Sequence, residues 1–328
     1  MRAQRAVLVM LLSLSAGCGV EVVRKSQPLG DILGPDLVGP IATADQYDGP
    51  TVGQAVGRGK LSPGASHEFD AITLHPRVVS QAKQMTRGEG VTVRDALARS
   101  GRYIDIIARE LQKEGVPPEL AYLPAVESHF SAQAEGAGTV GLWQFTSGTA
   151  RRYGLMVTSQ IDERRDPELA SRAAARLLRD LYDQFGRWGL VLAAYNAGPA
   201  RVQQALDRNP GADFWQLIDR GSLPAHTQKY VPKVLAVAAI ASEPERFGMD
   251  GVEPLQPLSY ETFSAREPLD VKTIASLSEC SSSSISELNP ALRRGMMPKG
   301  MEIRLPEGHK ARFEDNYKSR TRGLSVAQ

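Results

Sequence analysis

The sequence predicts a mainly α-helical domain followed by a small module with the order β-α-α-β. From about residue 75 to residue 250, apolar side chains recur at helical spacings of three and four, with glycine or proline at the breaks. Strand signals are nearly absent there, whereas an alternating stretch starts at Leu258 and a closing strand ends at Pro306. Two such units and a linker fit a chain of 328 residues, because domains usually hold about 100–150 residues.

The first residues have the layout of a secretory signal peptide. Arg2 and Arg5 precede the apolar run 6–12, and small residues follow at 13–17. The run is shorter than the roughly 20 apolar residues of a membrane-spanning helix. We therefore predict an export signal over residues 1–17 and no permanent span.

The segment that ends at Cys18 has the sequence Leu-Ser-Ala-Gly-Cys and resembles a bacterial lipobox, whose cysteine becomes a lipidated N-terminus. Its leucine stands one place early, so an ordinary signal peptide with an incidental cysteine stays open. Lipidation implies a membrane anchor, and Gly19 in place of aspartate implies the periplasmic face of the outer membrane. Without lipidation the protein would be periplasmic. Only Cys280 would then remain as a thiol, which excludes an intramolecular disulfide.

Residues 18–74 are predicted to form a largely disordered tether. Glycine and proline recur from Pro28 to Gly64, and no apolar period is sustained. The alternative is a compact extra domain, which would have to fold almost wholly from turns.

Two segments of the helical domain have clear ends. Thr92 begins a sequence that resembles a capping box, and we expect a helix from there to about Gly115. Asp166 as the N-cap and Pro167 as the first helical residue begin another helix, which should end at Gly186.

A further helix is expected to begin at Pro117 and Pro118 and to carry a carboxylate on its core-facing side. Glu127 is in helical register with the apolar positions 120, 123 and 124. Burial can raise a carboxyl pKa by up to roughly 3–5 units, and a place late in the helix acts in the same direction. Such a group is either a structural glutamate paired with an arginine or a protonated general acid of the kind that cleaves glycosidic bonds. Spacing alone favours the structural role.

Ordered motifs around Glu127 favour the catalytic role. Together they resemble the soluble lytic transglycosylase (SLT) domain of glycoside hydrolase family 23, over roughly residues 90 to 250. The motifs are 120–124 (LAYLP), 127–128 (ES), 141–145 (GLWQF), 149–155 (TARRYGL), 193–198 (AAYNAG) and 230–236 (YVPKVLA). Residues 146–149 read Thr-Ser-Gly-Thr where the family has Met-Pro-Ser-Thr, so we expect a looser helix start there.

The resemblance implies a lysozyme-like fold and an enzyme that cleaves the glycan strands of peptidoglycan without water. Glu127 would be its lone catalytic acid and base, and the product would carry a 1,6-anhydromuramic end. Glycosidases normally use two carboxylates. Asp166 is explained by helix capping and Asp162 by a polar surface turn, so neither is a compelling second carboxylate. A lysozyme-type hydrolase and a non-catalytic peptidoglycan-binding scaffold lipoprotein remain the alternatives.

The same resemblance implies a set of substrate-binding residues. Tyr195 and Asn196 would orient Glu127 and the sugar, Ser128 would hold the N-acetyl group, and Gln144 would reach the sugar with its amide. Gly141 marks a position where a side chain would block the groove or the turn. A core position for Tyr195 stays open. Trp143 is equally compatible with the core and with a sugar platform, whereas Trp188 and Trp215 are assigned to the core.

The composition argues against several other classes of protein. The net charge is +2, from 39 basic and 37 acidic residues, and no stripe of basic and aromatic residues suggests nucleic acid binding. Histidines do not cluster with cysteine or acidic residues at metal-ligand spacing, and no glycine-rich loop resembles a phosphate site. We expect no metal, no cofactor, a peptidoglycan partner and a monomer.

The C-terminal module, predicted for residues 258–308, resembles a LysM repeat in part. The similarity rests on 271–275 (VKTIA), 285–290 (ISELNP) and the strand ending in Leu305-Pro306, but the usual Gly-Asp-Thr-Leu turn is replaced by Ala-Arg-Glu-Pro-Leu at 265–269. Whether this module binds glycan is therefore open. Residues 309–328 are expected to be a flexible tail.

Overall fold

The computed structural model describes residues 68–69 and 71–326, with only the backbone for residues 322–326. The predicted signal peptide, Cys18 and most of the predicted tether lie outside these residues. Within the described part of the chain, no helix combines the length and apolar character needed to cross a membrane.

The first domain is built from helices, as predicted. Its α-helices are α1 (Pro76–Gly88), α2 (Gly90–Ser100), α3 (Ile104–Lys113), α4 (Leu123–Glu127), α5 (Ser147–Arg152), α6 (Pro167–Phe185), α7 (Trp188–Ala197), α8 (Pro199–Arg208), α9 (Phe214–Asp219) and α10 (Ala225–Ser242). Short 3-10 helices cover Pro118–Tyr122, Glu163–Arg165 and Pro244–Phe247. Two-residue strands β1 (Thr139–Val140) and β2 (Phe145–Thr146) pair in antiparallel orientation.

The folded domain begins earlier than the predicted boundary at residue 75. Residues 68–69 and 71–73 are already helical. The Phe69 ring is fully buried edge-on against Trp188, and the Glu68 carboxylate accepts a hydrogen bond from the Trp188 main chain, 3.0 Å. The end of the tether was placed too late because a single aromatic residue after a run of glycines gives no periodic signal.

The single helix expected from Thr92 to Gly115 is wrong, because the structure has α2 and α3 with a break between them. α2 begins at Gly90, and Thr92 does not cap it. The main chain of Leu255 crosses at the break: its amide donates to Ala98 O, 2.8 Å, and its carbonyl would overlap any side chain at Gly101. The contact spans much of the chain, so local spacing could not predict it.

Helix α6 agrees with the prediction at both ends. The Asp166 carboxylate accepts from the amides of Glu168 and Leu169, at 3.0 and 2.9 Å, and Pro167 is the first helical residue. Gly186 ends the helix with φ +64°, in the left-handed region that glycine adopts without strain.

The helix expected from Pro118 to Glu127 forms in two parts, a 3-10 helix (Pro118–Tyr122) and then α4. Pro124 near the start of α4 has no amide hydrogen, so an unbroken α-helical ladder through it is excluded. The predicted stripe is nevertheless buried on one side: Leu120, Leu123, Pro124 and Glu127.

The C-terminal module has the predicted β-α-α-β order. Its elements are β3 (Tyr260–Ser264), β4 (Leu269–Asp270), α11 (Val271–Ser278), α12 (Ser282–Leu288), β5 (Met296–Met297) and β6 (Glu302–Pro306). β3 pairs with β6 in antiparallel register, with Tyr260 opposite Pro306 and Ser264 opposite Glu302. The short strands β4 and β5, which the sequence did not suggest, form a second pair.

The flexible tail predicted for residues 309–328 is wrong for most of its length. Lys310–Val326 forms a helix, α13. Phe313 is fully buried and Tyr317 is 5% exposed, and both rings pack against Phe263 with centroids 4.9 and 5.3 Å away. The two aromatic residues lie four positions apart on one helix face, a spacing that indicates an amphipathic helix.

Candidate active site

Glu127 is the last residue of α4, and its carboxyl group is enclosed by protein. The side chain is 7% exposed. Burial raises its pKa from the ordinary 4.5 to about 7, against a hydrogen bond that lowers it. Among the described residues, no arginine or lysine forms an ion pair with Glu127. The structure therefore lacks the arginine-paired arrangement that spacing alone favoured, and it holds a carboxyl group that is half protonated near neutral pH.

The hydrogen bond to Glu127 comes from Tyr230 on α10. The buried phenol donates to Oε1 of the carboxylate. Burial, together with the nearby Glu127 charge, raises the pKa of Tyr230 well above its ordinary value, so the phenol keeps its proton. Sequence reasoning placed Tyr230 in a family motif but did not assign it to the site. Its motif was the available signal, since nothing in the spacing connects two residues 103 positions apart.

Tyr195 and Asn196 lie side by side on α7, and neither hydrogen bond they make goes to Glu127. The Tyr195 hydroxyl donates to the carbonyl of Trp143, 2.8 Å. The Asn196 side-chain oxygen accepts from the Thr227 hydroxyl, 2.8 Å, and so links α7 to α10. Tyr195 nevertheless lies close enough for the charge of Glu127 to raise its pKa, although burial is the larger cause. Tyr195 thus holds the main chain of residue 143, and the orienting role of Tyr195 and Asn196 stays a prediction.

Ser128 follows the acid and is also turned toward protein. Its hydroxyl is 2.8 Å from Leu142 O and 3.2 Å from Pro124 O, and both oxygens are acceptors. The one hydroxyl hydrogen is therefore engaged, so Ser128 has only its lone pairs to offer to a ligand. Its contact with the N-acetyl group stays a prediction.

Gln144 stabilises the loop that accepts a hydrogen bond from Ser128. It has φ +49°, and its amide nitrogen donates to Gly141 O, 2.8 Å, and to Ala134 O, 3.4 Å. Its amide oxygen accepts from the Thr139 hydroxyl, 2.7 Å. These bonds use both amide hydrogens within the loop. Direct contact of Gln144 with glycan remains a prediction.

Gly141 is required by the protein itself. Its φ is +84°, and a Cβ there would overlap the carbonyl group of Arg164. The close approach predicted for this glycine is therefore to the 3-10 helix Glu163–Arg165, and not to a groove.

The tryptophans divide between core and surface. Trp143 is fully buried, and its indole nitrogen donates to the Ser171 hydroxyl, 3.0 Å, so the core alternative is the one the structure has. Trp188 is also fully buried. Trp215 is only partly buried and stacks on His75, with ring centroids 3.9 Å apart.

The two aspartates considered as a second carboxylate are both held by arginines. Asp162 was predicted to lie on a polar surface turn. That prediction is wrong, because the residue is only 1% exposed. Burial would raise its pKa, but two hydrogen bonds from Arg164, at 2.8 Å each, and the charge of that residue hold the pKa below the ordinary value. Asp166 pairs with Arg304, 2.5 Å, besides capping α6.

Two family models match separate parts of the chain. The model of the transglycosylase SLT domain matches residues 105–218, which contain Glu127, residues 141–145 and Tyr195. The model of the LysM-like domain of lytic transglycosylase MltD matches residues 260–321, a range that includes much of α13. The chain thus contains a transglycosylase SLT domain followed by an MltD-type LysM-like domain, and both resemblances drawn from the sequence are confirmed.

Among individual proteins, the chain is homologous to membrane-bound lytic murein transglycosylase D of Escherichia coli K12. The two are 32% identical over 228 residues, which are 68% of this chain and 49% of that protein. The chain spans about half the length of this curated relative. Peptidoglycan transglycosylase gp16 of Escherichia phage T7 is 36% identical over 133 residues, 39% of this chain and 10% of that one.

A solved structure also matches part of the chain. It is an inactive mutant of the lytic transglycosylase Slt from Pseudomonas aeruginosa, 28% identical, with a TM-score of 0.37. The match covers 44% of this chain and 24% of that one.

Proposed function

We propose that this protein is a lytic transglycosylase of peptidoglycan. It cleaves the β-1,4 bond between N-acetylmuramic acid and N-acetylglucosamine and leaves a 1,6-anhydromuramic end. The observation that carries the proposal is the buried carboxyl of Glu127, whose pKa of about 7 leaves a large protonated fraction at neutral pH. A general acid works best when its pKa lies near the working pH.

The reaction needs one acid that changes role. Protonated Glu127 gives its proton to the oxygen that leaves with glucosamine, while the N-acetyl group of the muramic sugar stabilises the positive charge at the anomeric carbon. The 6-hydroxyl of the same sugar then attacks that carbon, and the Glu127 carboxylate takes the hydroxyl proton. One C–O bond breaks and one forms, the enzyme recovers its proton, and no water is consumed.

Tyr230 supports both roles of the acid. Burial favours the protonated carboxyl that starts the reaction, and the phenol hydrogen bond favours the carboxylate that completes it. A pKa near neutrality keeps both proton transfers accessible.

Transglycosylation is favoured over hydrolysis by the state of the two aspartates that were considered as a second carboxylate. Asp162 and Asp166 are each bound to an arginine, Arg164 and Arg304, and neither is free to activate water. A hydrolase would need a second working carboxylate.

We also propose that the protein acts in cell-wall remodelling or turnover as a monomeric lipoprotein, anchored through Cys18 on the periplasmic face of the outer membrane. The lipobox-like sequence at residues 14–18 supports the anchor. Mass spectrometry of the mature N-terminus tests it.

Digestion of purified sacculi tests the activity. We expect released muropeptides with 1,6-anhydromuramic ends by mass spectrometry, and no release by Glu127→Gln. Glu119→Gln, on the 3-10 helix before α4, is the matched control and should act like wild type. Reducing muramic ends would show a hydrolase, and no release by the wild type would show a scaffold; either result contradicts the proposal.

A further inference from the structure

The C-terminal module is joined to the catalytic domain by main-chain pairing. The Asp162 amide donates to Ala291 O, 2.8 Å, and the Arg293 amide donates to Gln160 O, 2.9 Å. Residues 160–162 and 291–293 therefore run side by side in antiparallel orientation, with Ile161 opposite Leu292. Such pairing fixes register as well as contact, because the hydrogen bonds form only in one alignment.

Arg304 of strand β6 reinforces this joint with a charge that is only partly exposed. Its two terminal nitrogens donate to the two carboxylate oxygens of Asp166, at 2.5 and 3.1 Å. Its guanidinium also lies over the Tyr260 ring, 4.9 Å from the centroid. A bidentate arginine pair of this kind fixes direction, which a lysine could not do with one nitrogen.

The segment that pairs with the module, residues 160–166, contacts residues 141–145 through Arg164. Asp162 orients the Arg164 guanidinium with two hydrogen bonds, and the third nitrogen of that group donates to Phe145 O, 3.0 Å. The Arg164 carbonyl is the group that closes over Gly141. Arg164 thus contacts both ends of the segment 141–145, at Gly141 and at Phe145.

Two residues near the acid hold the same five-residue segment by hydrogen bonds. Ser128, next to the acid, donates to Leu142 O, 2.8 Å, and Tyr195 donates to Trp143 O, 2.8 Å. A shift of residues 160–166 would therefore move residues 141–145 and disturb Ser128 and Tyr195, the neighbours of Glu127.

From these contacts we infer that Arg304 is a positioning residue for Glu127. The docked module fixes residues 160–166, these fix residues 141–145, and that segment is hydrogen-bonded to Ser128 and Tyr195, which lie next to the acid. The module thereby contributes to turnover itself, in addition to any contact it makes with glycan. The inference rests on the proposed transglycosylase activity.

The test compares kcat, KM and the pH profile of anhydro-product formation in the full chain. Arg304→Met keeps an unbranched side chain and removes the ion pair together with the guanidinium contact to Tyr260. We expect kcat to fall by about tenfold to a hundredfold, as for other small misplacements of catalytic groups, with KM nearly unchanged. Because a looser enclosure hydrates Glu127, its pKa falls and the basic limb of the profile moves to lower pH. Arg304→Lys should recover part of kcat.

Arg312→Met is the matched control, since Arg312 pairs with Glu279 inside the module, 2.8 Å, and should leave kcat unchanged. If circular dichroism shows that Arg304→Met is unfolded, Asp166→Asn breaks the same ion pair while keeping the capping oxygen, and the same loss of kcat is expected. Wild-type kcat and an unmoved basic limb would overturn the inference, as would a change confined to KM. Inactive wild type would instead refute the proposed function.

Discussion

The carboxyl group of Glu127 destabilises the folded protein whenever it is ionised. Its pKa is raised from 4.5 to about 7, which corresponds to on the order of 3 kcal/mol between the two protonation states. Because the pKa is raised in the folded state, the folded protein is most stable with respect to this group below about pH 4.5, where Glu127 is protonated. This contribution to the free energy of unfolding is lost as pH rises through about 7. The side chain that gives the site its acidity therefore weakens the fold at neutral pH.

The raised pKa of Glu127 gives a prediction for the stability of Glu127→Gln. The variant cannot ionise, so its free energy of unfolding should exceed that of the wild type by up to roughly 3 kcal/mol at about pH 8 and by much less near pH 4.5. Denaturant titrations at both pH values measure the difference. Glu119→Gln should show no such trend, and a pH-independent difference for Glu127→Gln would contradict the buried acid.

The phenol of Tyr230 gives a second prediction at this scale. Tyr230→Phe removes the hydrogen bond that lowers the Glu127 pKa, so that pKa rises. Activity starts from the protonated acid, and the basic limb of the rate profile should therefore move to higher pH. Loss of a hydrogen bond to a charged group, about 1.5–3 kcal/mol, predicts a kcat roughly tenfold to a hundredfold lower.

Initial rates of anhydro-product release across the pH range measure both effects. Tyr122→Phe removes a different phenol, one that is only partly buried and whose ring packs edge-on against Phe130, and serves as the control. A basic limb that stays in place in Tyr230→Phe would mean that the phenol does not set the protonation of the acid.

Substitutions at Gly141 and Gly154 allow the cost of backbone strain to be measured apart from the cost of steric overlap. Gly141 and Gly154 have nearly the same φ, +84° and +86°, but a Cβ meets the Arg164 carbonyl at the first and nothing within 4 Å at the second. We expect Gly154→Ala to lose about 1–2 kcal/mol, the left-handed penalty alone. Gly141→Ala should lose about 4 kcal/mol or more, because the Glu163–Arg165 helix must also move. Denaturant unfolding measures both, and equal losses would show that the overlap is relieved at little cost.

Elements set by local sequence were predictable, and those set by distant contacts were not. α6 begins and ends as expected because Asp166, Pro167 and Gly186 act within one turn. The break after α2 was missed because Leu255 causes it from the other end of the domain. α13 was missed although Phe313 and Tyr317 carried the helical spacing.

The same contrast between local sequence and distant contacts applies to the candidate active site. Glu127 could be located because its helix stripe and flanking motifs are local, whereas its partner Tyr230 comes from α10. The sugar contacts expected of Ser128 and Gln144 came from resemblance, and their hydrogen bonds inside the protein depend on loop geometry that spacing does not encode.

At the scale of the whole molecule, the joint between domains predicts a pattern of amide exchange. The bonded amide of Asp162 should exchange slowly in the full chain and faster in a chain that ends at Pro257, before β3. A main-chain hydrogen bond contributes about 1 kcal/mol, which corresponds to roughly fivefold to tenfold faster exchange. Hydrogen–deuterium exchange mass spectrometry measures this over residues 157–162, and equal rates would mean that the joint opens freely.

The pairing of residues 160–162 with residues 291–293 also bears on how the protein can evolve. The two hydrogen bonds join amides to carbonyls, so they place few demands on which side chains occupy these positions. Substitutions can accumulate at the exposed positions Gln160 and Arg293 while the domains stay in register, whereas Asp162 is also constrained by its bonds to Arg164. A residue inserted or deleted between Val157 and Asp166 would instead slip the alignment and reverse which side chains face inward. We expect diverging relatives to preserve the length of this segment more strictly than its composition.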